Sequence, residues 1–214
     1  MEGGAEGESL GIDRIAARMQ PYLRTWKGRR AGPASLIVTL NEGGGRQGLF
    51  WCLQGFFELS QLAIHLGVDQ PVHGLRSGVH VMAYTDGNLR DIASLYADEM
   101  VALQPDGPFL LGGNCQGGRI ARVIALRLRE MGRAVSLLYL MEQRSFPPYE
   151  GQVALIFGGD SAMNPYRSGN DPAAVFRLPY PGGYSVDIIA GEHGRFFEPG
   201  RIESLASAIR RRLP

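Results

Sequence analysis

The hydrophobic and polar positions alternate between helical and strand periods along most of the chain. Ile12, Ile15, Met19, Tyr22 and Leu23 recur at helical spacing up to Pro21, which predicts a short amphipathic helix leading into Trp26 at the edge of a domain. GRRAGP at 28–33 reads as a solvated loop by its Gly and Pro. SLIVTL at 35–40 and GLFWCL at 48–53 are short apolar runs joined by a Gly-rich turn, and predict two strands. Leu59, Leu62, Ala63 and Leu66 mark a helix face, PVHGL at 71–75 a third strand, and Ile92, Leu95, Tyr96 and Met100 another helix face. FLLGG at 109–113 is a strand. The segment after it repeats Ile120, Val123, Ile124, Leu128 and Met131, with Ala121 and Ala125 between, so it is expected to be the most buried helix. VSLLYLM at 135–141, VALIFG at 153–158 and YSVDIIAG at 184–191 are continuous apolar runs, expected to be strands buried on both faces. Ile202, Leu205, Ala206, Ile209 and Leu213 form a closing helix face. Strand and helix alternating in this way define an α/β fold, a mainly parallel sheet with helices on both faces.

Composition narrows the class. A chain of 214 residues with 44% hydrophobic and 20% charged positions is expected to form one soluble domain. Residues 1–34 are read as a linker and short helix, and 35–214 as the folded domain. A net charge of +1 gives no excess of cations for a phosphate backbone, so nucleic acid is not an expected partner. No apolar run approaches a bilayer span, so no membrane is expected either. Only two Cys, at 52 and 115, and no leader pattern in MEGGAEGESLG make the cytoplasm the expected compartment. The 30 Gly are about twice the usual share and imply many turns and close backbone approaches.

The sharpest chemical signal is Gly113-Asn114-Cys115-Gln116-Gly117-Gly118, placed where a predicted strand ends and the apolar helix begins. It has the layout of a nucleophile elbow with Cys in place of Ser. The flanking glycines let strand and helix approach, and the helix N-terminus favours a thiolate. Cys52, inside an apolar run, is expected to be a small core residue. Of four His, at 65, 73, 80 and 193, only His193 follows the last strand and precedes the last helix, where the order nucleophile, acid, histidine requires the base. The acid is Glu142 or Asp160, both at the ends of strands, while Glu192 is read as a surface charge. The oxyanion donors are expected from Gln116, after the nucleophile, and from Gly55 or Phe56 after GLFWCL. Phe56 and Phe57 are candidates for an acyl pocket, with core packing the alternative. Neither a metal-ligand spacing nor a nucleotide-binding glycine motif is present, so no bound cofactor is expected.

With these residues in view, the chain resembles the type I thioesterase domains that end nonribosomal-peptide and polyketide assembly lines, within the α/β-hydrolase superfamily. The resemblance runs over about 35–213 and is most specific in DIASLYADEMVALQPDGPFLLGGNCQGGRIARVIALRL. It implies Cys115 in the place of the nucleophilic Ser, His193 in a GxH motif as base, and Glu142 as first choice for the acid ahead of Asp160. It also implies an acyl group delivered as a phosphopantetheine thioester by an acyl or peptidyl carrier protein, and passed to water or a small-molecule acceptor. The chain departs from the family in its Cys, its Glu, its LQGFF oxyanion loop, and the lid: only QRSFPPYEGQ separates Glu142 from VALIFG, so an open, lidless site is expected. The alternatives are a cysteine hydrolase resembling dienelactone hydrolase, also built on G-x-C-x-G-G, and a non-catalytic binding domain on the same fold.

Overall fold

The computed structural model describes residues 9–143, 145, 147–169 and 176–214. The first eight residues, where the linker was expected to begin, lie outside this set. The strands are β1 (Ile37–Leu40), β2 (Leu49–Leu53), β3 (Val72–Arg76), β4 (Phe109–Asn114), β5 (Val135–Met141), β6 (Val153–Gly158) and β7 (Tyr184–Ile189). The α-helices are α1 (Ile12–Leu23), α2 (Phe56–Leu66), α3 (Asp86–Leu103), α4 (Gln116–Glu130) and α5 (Ile202–Arg210).

All seven strands form one sheet in the order β1-β3-β2-β4-β5-β6-β7. Only β1 runs antiparallel, pairing Ile37 with Leu75 and Leu40 with Val72. From β2 the chain moves outward one way to β3 and then returns across to β4, so the strand order reverses between β2 and β4. A crevice opens there beyond the carboxyl ends of the strands, which is where an open α/β sheet binds its ligands. The central strands β2, β4 and β6 are buried throughout, as their continuous apolar runs predict.

Three expectations need correction. YSVDII of β7 is the sheet's outer strand, and only Ile189 in it is fully buried. Its apolar run is mostly half-buried and leaves Ile188 49% exposed, and no strand among the described residues pairs beyond it. α4 buries seven of its fifteen residues, but α5 buries five of nine and is the more deeply covered for its length. Leu213 lies beyond the end of α5. The loop at 28–33 is largely exposed, as its reading as a solvated connector predicts, with Arg29 bridging Thr39 and Arg30 reaching Ser35, Pro33 and Gln20.

α1 forms as its period predicts, with Pro21 tolerated near its end, and it buries Ile15, Met19 and Leu23 completely. These side chains join the same core as the sheet, so packing continues across residue 35. Among the described residues of the 142–152 connection between β5 and β6 there is no helix. It is held instead by buried Tyr149, whose N–H donates to the Pro179 carbonyl at 2.8 Å.

Candidate active site

The turn from β4 into α4 occupies one residue. Cys115 has φ 50° and ψ −122°, a conformation costly for a side chain with a Cβ and sustained only where the surroundings over-determine it. Two glycines supply part of that constraint. A Cβ on Gly113 would stand 2.5 Å from the Gly117 backbone, and one on Gly117 would stand 2.3 Å from the Cys52 carbonyl oxygen. Strand and helix therefore meet backbone to backbone, and the Cys115 side chain is left on the outer edge of the crevice.

His193 lies between β7 and α5, and its Nε2 stands 3.7 Å from Cys115 Sγ. Its Nδ1 stands 3.0 Å from Oε2 of Glu142. A carboxylate at that distance requires Nδ1 to carry a proton, which turns the lone pair of neutral Nε2 toward the sulfur. Glu142 is 3% exposed and is itself held: Oε1 accepts from the Gly158 N–H at 2.7 Å, and Oε2 from Ser161 Oγ at 2.5 Å. Its φ of 56° places it in the left-handed region, so Cys115 and Glu142 are both strained residues at strand ends. The structure thus brings together Cys115, His193 and Glu142. Asp160 does not join them: its side chain is exposed, and its backbone N–H bonds the Gly191 carbonyl at 3.1 Å. Glu192 is exposed and pairs with Arg195 at 3.0 Å.

The other cysteine and histidines have different surroundings. Cys52 is fully buried in β2, and burial pushes its thiol far above the usual range. His73 stacks on Phe50 at 4.3 Å, and burial lowers its pKa to about 4. His65, near the end of α2, faces Glu203 of α5 at 3.7 Å, and His80 is an exposed loop residue.

A cavity of about 140 Å³ sits over Cys115, His193 and Glu142, lined also by Gln54, Glu58, Asn114, Gln116, Gly194, Phe196 and Phe197. Gln116 lines it, whereas Gly55 and Phe56, expected to supply a second oxyanion donor, are not among its lining residues. Glu58, in the first turn of α2, folds back so that Oε2 accepts from the Gln54 N–H at 2.6 Å. The carboxyl thus ties the loop back onto the start of the helix, one residue ahead of the N-cap Gly55. Burial is the largest influence on Glu58 and raises its pKa. Phe56 packs on Trp26 at 6.2 Å and Phe57 is 56% exposed, so neither lines the cavity. The aromatic wall is Phe196 and Phe197 instead. A second FF pair two residues after GEHG was the available signal, since a pair so close to the base must face or flank it. Glu58 carried no signal beyond its helical position.

Among the described residues no cluster of His, Cys, Asp and Glu suits a metal ion, and no helix is long and apolar enough to cross a membrane.

The sheet order, the elbow after the central strand and the His after the last strand together define an α/β-hydrolase fold. Residues 76–154 match the thioesterase-domain family model. The chain is 37% identical over 124 residues to the chondramide synthase of Chondromyces crocatus, covering 55% of this chain and 3% of that protein. It is 32% identical over 141 residues to a dimodular nonribosomal peptide synthase of Bacillus subtilis, covering 65% of this chain and 5% of that protein. The NocB thioesterase domain of the nocardicin cluster superposes with a TM-score of 0.68 at 22% identity, covering 82% of this chain and 97% of that domain. In sequence and fold, then, the chain resembles the thioesterase domains of nonribosomal-peptide and polyketide synthases, and it spans only a small fraction of the curated synthases it matches.

Proposed function

We propose that this chain is a thioesterase or acyltransferase working through an acyl-thioenzyme on Cys115, with His193 as base and Glu142 as the acid that orients it. The observation that carries this reading is the continuous line from sulfur to imidazole to buried carboxylate, 3.7 Å and 3.0 Å. His193 takes the Cys115 proton, and the sulfur adds to the carbonyl carbon of a phosphopantetheine thioester presented by a carrier protein. The negative oxygen of the tetrahedral intermediate is held by the Gln116 N–H. Collapse breaks the old C–S bond, and the pantetheine sulfur leaves with the proton from His193. In the second half, His193 takes a proton from the acceptor as it attacks, and the Cys115 sulfur departs.

The sulfur nucleophile matters energetically. Moving an acyl group from one thioester to another conserves its activation, whereas transfer to a serine would end in a lower-energy oxoester. That favours delivery to an amine, a hydroxyl or an internal ring-closing group, with water as the competing acceptor. The small cavity accommodates the reacting carbonyl but not a long chain, and the side chain of His193 is 39% exposed. Together with the helix-free described residues of 142–152, this supports an open site without a lid, in which the acyl chain lies across the surface.

The test is intact-protein mass spectrometry after mixing with a panel of acyl-pantetheine thioesters. The expected result is one acyl adduct on the unaltered protein, absent in Cys115→Ala and strongly slowed in His193→Ala. Decay with water against added amines separates hydrolase from transferase. Turnover of lactones without thioester adducts would replace this reading with the dienelactone-hydrolase type, and no adduct with an ordinary thiol at Cys115 would leave a non-catalytic domain.

A further inference from the structure

Gln143 follows the acid directly, is 7% exposed, and has no part in the proton path. Its side-chain Nε2 donates twice, to the Cys115 carbonyl at 2.7 Å and to the Met141 carbonyl at 2.9 Å. Both partners are acceptors only, so the amide group must present its NH2 there. Room for it is made by Gly118, where a Cβ would stand 2.3 Å from that nitrogen. The last glycine of the elbow is therefore explained by Gln143 rather than by the approach of strand to helix.

The bond has a consequence one atom further along. The peptide joining Cys115 and Gln116 is trans and planar, so its C=O and N–H point in opposite directions. Fixing the Cys115 oxygen inward, on Gln143 and on the Gly118 N–H at 3.0 Å, fixes the Gln116 N–H outward. Residues 115 and 116 line the cavity on that side. The strained φ of 50° at Cys115 gives this peptide a reason to rotate, and Gln143 is the side chain that resists it. Gly55 and Phe56, the expected sources of a second donor, are not among the residues lining the cavity, so alignment of the Gln116 amide matters the more.

We propose that Gln143 is a positioning residue for oxyanion binding, clamping the Cys115–Gln116 peptide so that its N–H meets the tetrahedral intermediate. This rests on the acyl-thioenzyme reading. The test compares two reactions of one sulfur. Alkylation of Cys115 by iodoacetamide needs the thiolate but forms no oxyanion, whereas acylation by an acyl-pantetheine thioester needs both. In Gln143→Met, which keeps the volume and loses both donors, acylation should fall about 10²-fold, the cost of losing one oxyanion donor, while alkylation stays within about twofold of the unaltered protein. Gln143→Asn, whose amide is one methylene short, should fall between them, and carries the same test if Gln143→Met does not fold. Equal losses in both reactions, or a loss in neither, would overturn the proposal while leaving the acyl-thioenzyme intact. Failure of the unaltered protein to acylate, with Cys115 still alkylated, would instead remove the reading beneath it and the proposal too.

Discussion

Cys52 lies within β2 and Cys115 just past the end of the neighbouring β4, and Cys52 is paired in register with Gly113, two residues before the other cysteine. One is fully buried, with a thiol that burial holds protonated; the other sits in a strained turn, facing an imidazole. The two residues are chemically identical, so the difference between them is made by the backbone. A strand interior surrounds its side chain with apolar neighbours, whereas a strand end followed at once by a helix displays it. The histidines repeat the contrast: His193 is loop-borne and paired with a carboxylate, while His73 is inside the sheet layer and loses its proton readily.

The largest effect that would sharpen this contrast is reactivity itself. Iodoacetamide should label native protein at Cys115 at least about 10³ times faster than at Cys52, with Cys52 labelled only after denaturation. Peptide mapping of the alkylated protein measures both, and early labelling of Cys52 would break the comparison. Next, Glu142→Gln should slow acylation by about 10³-fold, since it permits the wrong imidazole tautomer while preserving shape, as single-turnover acylation kinetics would reveal.

The interior half of the comparison has its own signature in pH. His73 has a pKa of about 4 in the folded chain against 6.5 when unfolded. Above pH 6.5 it is neutral in both states and the fold keeps its full stability. As pH falls toward 4 the unfolded chain takes up the proton first, so stability is lost, by about 3 kcal/mol at 1.36 kcal/mol per unit. Urea unfolding at pH 7 and pH 4 should show that loss in the unaltered protein and its absence in His73→Phe, relative to the change common to both. Smaller still, Gly117→Ala should destabilise by about 2 kcal/mol in the same assay, because its new Cβ meets the Cys52 carbonyl. Last, Cys52→Ala should cost about 1 kcal/mol and leave the acyl adduct unchanged.

Periodicity made most of the architecture legible, because each element has a buried face that its apolar spacing records. It failed at β7, where an apolar run reads the same whether one face is covered or two, and at the degree of burial of α5. In the site, Cys115 and His193 could be located by chain order around strand ends. Glu142 and Asp160 could not be separated by position, since both follow strands; their difference is the turn that buries one against Gly158 and Ser161 and leaves the other outside. Glu58 and Gln143 were not legible at all. Each acts through hydrogen bonds to backbone groups, which leave no pattern of side-chain types to find.

The Cys115 N–H bonds the Met141 carbonyl, and the Glu142 N–H bonds the Ile156 carbonyl. Cys115 thus extends the β4–β5 ladder by one rung, and Glu142 the β5–β6 ladder by one. Site assembly and closure of that part of the sheet are consequently a single event in folding, so a chain whose β6 has come loose retains the cysteine but not its alignment. Amide hydrogen exchange at these two positions should therefore report the same opening reaction that parts Cys115 from Glu142.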